Sequence, residues 1–266
     1  MILNVSLLYT SEHQCRVSLF PTLTERTVSM KKNSDTLHNV VLVLCIIVFL
    51  ICFGMLFNWY LDSKNEDKDI KEIKTTIITD DGNSSKLNKN TTQIENCVAW
   101  LEIPNSDIDY PIMQKKNDPE YYLRRNYKGE YSYSGTPFLD SKCNIGTSQN
   151  LIVYGHNMKD GTMFSGLIKY KDTEYCKQHP TIYLTVDNTV YEYELYAVCK
   201  VESDDGWYTF TERTSEETFD ELISHIQNKS LYKSDKTAEY GDYFLTLSTC
   251  EYSQENSRLI VIAKRR

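Results

Sequence analysis

Tyr243-Phe-Leu-Thr-Leu-Ser-Thr-Cys250, followed by seven polar-leaning residues and then Arg258-Leu-Ile-Val-Ile-Ala-Lys264, is the stretch whose reading decides the fold. Each flank is apolar or alternating over a strand's length, and Gln254-Glu-Asn-Ser257 between them favours a turn, so the pattern predicts a β-hairpin. Side chains alternate faces along a strand. Phe244, Thr246, Ser248 and Cys250 therefore share one face, while Leu245 and Leu247 point the other way, into a core. Cys250 is the last residue of its strand and Arg258 the first of the next, and antiparallel pairing brings the two together at the hairpin's rim. A thiol beside a guanidinium at a strand end is a candidate reaction centre. It needs a base, a scaffold and a location.

Location is read from the other end of the chain. Val40 to Phe57 is 18 residues without a charge, and Asn58-Trp-Tyr-Leu61 extends the run with interfacial aromatics. About 20 apolar residues cross a bilayer, whereas a cleaved signal peptide has an apolar stretch of about 7–15 ending in small residues. The segment 40–61 is therefore expected as a retained membrane anchor. Residues 1–39 hold four basic and three acidic residues, against 25 and 34 after the span, and Lys31-Lys32 stand just before it. The positive-inside rule then places 1–39 in the cytoplasm and everything beyond residue 61 outside. Met30 is expected as the true start, because residues 1–29 add no motif or signal.

Composition narrows the classes. A net charge of −8 argues against a general nucleic-acid binder. The 41% hydrophobic and 25% charged content is that of a chain that mostly folds. Of eight Cys, five fall beyond the span (Cys97, Cys143, Cys176, Cys199 and Cys250), and an odd number there leaves at least one thiol free. There is no C-x-x-C, and nothing in the spacing suggests a metal site or a cofactor.

Residues 62–93 read as a polar tether, and the folded domain is expected over 94–266. Strands are predicted at 98–103, 108–112, 135–139, 150–154, 181–185 and 189–198, with a short helix at 162–170. Ser215 caps a second helix whose Phe219, Leu222, Ile223 and Ile226 form one apolar face. The class is all-β with helical insertions, a barrel or a sandwich.

A cysteine nucleophile needs a base or cation that shifts it toward thiolate. Among the five His, His156 stands out because Tyr-Gly-His156-Asn-Met follows a strand and so places it, like Cys250, at a strand end. His179 and His225 read as surface residues. Spacing alone leaves open a reading in which Cys250 is a buried small hydrophobe, His156 a turn residue and Arg258 a surface ion-pair partner.

Thr246-Leu-Ser-Thr-Cys250 followed by Arg258 resembles the Thr-Leu-x-Thr-Cys signature of the sortases, membrane-anchored cysteine transpeptidases of Gram-positive bacteria. Asn150-Leu-Ile-Val-Tyr-Gly-His156-Asn-Met158 resembles that family's histidine segment. Glu251 after the cysteine, the helix-bearing stretch Ser203–Lys236, Trp100-Leu-Glu-Ile-Pro104, Ile108-Asp-Tyr-Pro111 and Gly135-Thr-Pro-Phe-Leu-Asp140 are similar to class B. The resemblance runs from about Cys97 to Lys264. It implies a closed sortase-type β-barrel behind an N-terminal membrane anchor, with Cys250 as nucleophile, His156 as general acid/base and Arg258 as electrostatic stabiliser. It also implies the substrate, a secreted protein with a C-terminal Asn-Pro-x-Thr-x sorting signal cut after Thr through a thioester, and the acceptor, an amine of a cell-wall peptidoglycan precursor. Ser248 and Thr249 are expected along the groove, with Trp207 and Tyr208 as its wall. Two alternatives stay open: a pilin-polymerising sortase whose acceptor is a protein lysine, and a non-enzymatic single-pass ectodomain with a structural cysteine.

Overall fold

The computed structural model describes residues 37–57, 60, 94–232 and 234–266. The N-terminal segment with Met30, and the expected tether over 62–93, lie outside the described residues. The chain divides into two units, Met1–Trp59 and Tyr60–Arg266.

The first unit contains α1 (Leu37–Phe57), 21 residues with a mean hydropathy of 3.4 in its most apolar window. At about 1.5 Å per residue such a helix is roughly 30 Å long, the thickness of a bilayer's hydrocarbon core. Its side chains are exposed. Phe49, Phe53 and Phe57 stack at i,i+4 with centroids 6.4 and 6.2 Å apart. An apolar helix of this length with exposed side chains suits lipid as its solvent, in keeping with an anchor.

The second unit is a closed eight-stranded barrel. Its strands are β1 (Cys97–Glu102), β2 (Asp109–Met113), β3 (Phe138–Leu139), β4 (Asn150–Tyr154), β5 (Thr181–Val186), β6 (Thr189–Glu202), β7 (Phe244–Cys250) and β8 (Ser257–Arg265). Around the barrel they run β1-β2-β3-β4-β7-β8-β6-β5 and close on β1. Most pairs are antiparallel. The β4–β7 pair is parallel, which two strands far apart in sequence can adopt because a long crossover joins them. Closure removes exposed sheet edges, and this decides between the barrel and the sandwich.

The period of the terminal hairpin does what its sequence requires. Leu245 and Leu247 lie in the barrel core with Leu101, Leu184, Leu195 and Val261. Phe244, on the other face, lies in a second cluster with Trp207, Phe210, Ile260 and Ile262. That outer cluster is sealed by α3 (Glu216–Lys229), which contributes Phe219, Ile223 and Ile226. Ser215 caps α3, its Oγ accepting the Thr218 N–H at 3.2 Å.

The strand expected over 135–139 is reduced to Phe138–Leu139, since Gly135 at φ 61° leaves the extended region, and three other local readings also differ. The predicted helix at 162–170 is a 3-10 helix over Phe164–Lys171, entered through Met163 at φ 54°. A further helix, α2 (Thr173–Gln178), follows it, capped by Asp172. The strand predicted to end at residue 198 runs on to Glu202, because its outer face there is covered by α3.

Candidate active site

The parallel pairing of β4 and β7 sets the site. Its register runs Asn150↔Phe244 to Tyr154↔Ser248, so two residues further on His156 and Cys250 leave the same edge of the barrel side by side. Hydrogen bonds carry the pairing past the strand ends. Gly155 N–H donates to Ser248 O (3.1 Å), Thr249 Oγ1 to Gly155 O (2.8 Å) and Asn157 Nδ2 to Cys250 O (2.9 Å). On the other side, β7–β8 pairing sets Cys250 directly opposite Arg258. Three residues spread over about a hundred positions thus meet on one rim, and all three line a cavity of about 440 Å³.

Gly155 between Tyr154 and His156 is required by space. A Cβ there would sit 2.5 Å from the Phe164 ring. His156 Nε2 lies 2.9 Å from the carbonyl oxygen of Leu123, in the 3-10 turn Tyr121–Arg124. A carbonyl only accepts, so this contact holds the ring proton on Nε2 and leaves Nδ1 with its lone pair open to accept one. Gly135, at φ +61°, packs so tightly on the same carbonyl that a Cβ would lie 2.5 Å from it. Burial lowers the pKa of His156 from its ordinary value and Arg124 adds to this, against the opposing pull of the Leu123 carbonyl. Burial thus favours the neutral imidazole form of the ring.

The remaining expected groove residues divide. Ser248 and Thr249 line the cavity. Tyr208 lines it too, with its hydroxyl 2.8 Å from Ser248 Oγ and its ring stacked on Tyr154 at 6.1 Å. Burial pushes the Tyr208 phenol up to about 12, so it serves as a neutral hydrogen-bonding wall. Trp207 corrects the expectation that it forms that wall: it is fully buried under α3, and its Nε1 donates to Thr246 Oγ1 at 2.9 Å. A short helical turn sends consecutive side chains in different directions, so only one of the pair can face the groove.

Two residues that the sequence reading quoted only within motifs, and not as site residues, complete the surroundings. Asp140, which lines the cavity, accepts from the Tyr154 hydroxyl (2.9 Å) and the Lys142 N–H (2.8 Å). Glu251, next to the cysteine, is buried and bonded to Lys171 (2.5 Å) and Ser253 Oγ (2.6 Å), with Lys200 at 3.4 Å. Lys171 and Ser253 hold its carboxyl down at about 2, so it stays ionised and pins the β7–β8 loop at any physiological pH. Leu123 contributes only a backbone carbonyl and has no sequence signal. Asn157 and Asp140 do have one, lying within the two segments flanking His156 and Gly135. His179 is elsewhere, stacked on Tyr175 at 3.9 Å, and His225 pairs with Asp205.

All seven cysteines among the described residues are free thiols. Burial pushes Cys97, Cys143 and Cys199 up to about 12 and Cys176 to about 11, whereas Cys250 opens onto the cavity. Only the thiolate reacts readily. A thiol-directed alkylating reagent at mildly alkaline pH is therefore expected to modify Cys250 alone within residues 94–266 of the folded protein, as read by peptide mass mapping. Comparable labelling of Cys143 or Cys199 would contradict this.

A family model described as Sortase domain matches residues 101–266. The protein described as Sortase B of Listeria monocytogenes is 38% identical over 182 residues, 67% of this chain and 71% of that one. The sortase B of B. anthracis in complex with AAEK1 matches with a TM-score of 0.65 at 32% identity, over 77% of this chain and 98% of that one. A Staphylococcus aureus sortase B–substrate complex gives a TM-score of 0.70 at 22% identity, over 77% and 98%, a likeness of fold.

Proposed function

Because the chain belongs to the sortase family, class B, whose members are cysteine transpeptidases, we propose that Cys250, His156 and Arg258 are the groups with which this enzyme cuts a C-terminal sorting signal and passes the protein to a new amine. The observation that carries this reading is the paired register of β4, β7 and β8, which sets those three residues on one rim of the groove.

The chemistry follows from their states. Nδ1 of the neutral His156 takes the thiol proton as the Cys250 sulfur attacks the carbonyl carbon of the signal's Thr. The carbonyl oxygen gains negative charge beside the Arg258 guanidinium, which is permanently charged and steadied by its bond to Ser257 O at 3.2 Å. The C–N bond then breaks, and the leaving amine takes the proton back from the imidazolium, leaving a thioester on Cys250. An incoming amine attacks the thioester and gives its proton to His156, which returns it to the expelled sulfur, so that the thiol and the neutral imidazole are restored. Low basicity in His156 suits both halves, because the ring must release its proton as readily as it takes one.

The substrate is a secreted protein ending in an Asn-Pro-x-Thr-x signal, laid along the cavity past Ser248, Thr249 and Tyr208, and the acceptor is an amine of a lipid-linked peptidoglycan unit. The solved Staphylococcus aureus relative is a complex with substrate. Residues 40–61 anchor the enzyme with its N-terminus in the cytoplasm, and residues 62–93 tether the catalytic domain 94–266 outside. Both substrates are then confined to the same surface, which raises their effective concentration.

The test is mass spectrometry of the protein incubated with Asn-Pro-x-Thr-x peptides and candidate amines. A Cys250 adduct carrying the peptide up to Thr, chased by an amine into a ligated product, is expected. Absence of any adduct across the peptide set would overturn the substrate assignment. Transfer only to a protein lysine would replace the acceptor.

A further inference from the structure

A cluster of charge sits behind the groove wall, away from Cys250. Asp205 is buried, and its carboxylate takes Lys229 Nζ at 2.7 Å, His225 Nε2 at 3.0 Å from both oxygens, and the Trp207 N–H at 3.0 Å. His225 and Lys229 stand one turn apart on α3, while Asp205 caps the four-residue 3-10 turn Gly206–Thr209. Burying a carboxylate is costly unless cations and hydrogen bonds compensate it, and here three donors converge on one group.

The turn it caps is held on two sides. From below, the Trp207 indole donates to Thr246 Oγ1 (2.9 Å), which itself donates to Asn150 Oδ1 (2.8 Å), so the turn is tied to β7 and β4. From behind, Asp205 ties it to α3. The next residue is Tyr208, whose N–H donates to the Asp205 carbonyl at 3.0 Å and whose ring and hydroxyl form the groove wall against Tyr154 and Ser248. Tyr208 therefore owes its place to a turn clamped between the barrel and α3.

We propose that Asp205 is a positioning residue for the substrate groove: by fastening the 206–209 turn to His225 and Lys229 it sets Tyr208 against Ser248, and so governs how tightly the sorting signal binds. This rests on the transpeptidase reading above. Asp205 does not reach the reacting atoms, and its removal acts on binding of the extended peptide while sparing the chemistry at Cys250.

Asp205→Asn keeps the volume and the acceptor for the Trp207 N–H, but removes the charge and points amide hydrogens at Lys229 or His225. Steady-state kinetics with an Asn-Pro-x-Thr-x peptide and a small amine acceptor are expected to show KM raised about tenfold with kcat within about twofold. In a Tyr208→Ala background the same substitution is expected to add nothing, since residues acting through one contact are not additive. Lys229→Met, which alters a half-exposed partner and spares the turn, is expected to move KM the same way by less. A readout independent of turnover is the fluorine NMR signal of 3-fluorotyrosine placed at 208, expected to broaden or shift toward the solvent position in Asp205→Asn. An unchanged KM, a KM effect that persists without Tyr208, or an unmoved fluorine signal each overturns the proposal. If no sorting peptide is turned over by the parent protein, the function reading fails and the fluorine signal alone decides the positioning role.

Discussion

Replacing Cys250 with alanine is expected to abolish acyl-enzyme formation with any sorting peptide, with no adduct detectable by intact-mass measurement over hours. In the proposed mechanism the Cys250 sulfur forms the bond that defines the reaction, and no other described thiol of the barrel is placed to substitute for it: Cys97, Cys143, Cys176 and Cys199 are held as protonated, mostly buried groups. The fold should not suffer. The residue is half-buried, and its backbone is held by the Arg258 pairing and by Asn157 Nδ2 rather than by its side chain. Circular dichroism and a melting temperature close to the parent's should accompany the loss. Retained cleavage would end the assignment of Cys250 as nucleophile.

Arg258→Lys is expected to lower kcat by about 10²–10³-fold while the protein stays folded, the range found when a preorganised oxyanion donor is removed. Charge is conserved in this change. What is lost is the planar fork of donors and its fixed geometry, which an ammonium on a flexible stem does not reproduce. Pairing of residue 258 with Cys250 and with Val201 uses backbone groups, so β8 keeps its place. The effect should fall on kcat and on kcat/KM alike, because the oxyanion exists only in the transition state and the intermediate. A near-normal rate would show that charge alone suffices at this position.

The hairpin and its two facing residues were legible because a period of two, read over a strand's length, settles both pairing and facing. Thr246, Ser248 and Phe244 meet their partners on the outer face, and Leu245 and Leu247 enter the barrel, as alternation requires. Helix α3 was legible from its cap and apolar stripe. The choice of barrel over sandwich came from the family resemblance alone, because β4 meets β7 across ninety-odd intervening residues and nothing local records that pairing. Trp207 shows a second limit. Adjacent aromatics in a loop carry no periodicity, and only the three-dimensional turn separates the one that packs beneath α3 from the one that faces the groove. The Leu123 carbonyl that orients His156 is a backbone group available from any residue, so its role depends on where the chain passes and not on what it carries.

The four barrel thiols other than Cys250 have one more consequence, for redox behaviour. They are unpaired, so the barrel's cohesion draws on packing and hydrogen bonds and on no cross-link among the described residues. A reductant strong enough to keep Cys250 as a thiol leaves that scaffold untouched, and an oxidant entering the cavity meets the Cys250 sulfur there. Catalytic competence and structural integrity therefore answer to different electrochemical conditions. With Cys250 as the proposed nucleophile, its oxidation to a sulfenic acid or mixed disulfide is expected to silence the enzyme while it remains folded, and reduction to restore it without a refolding step.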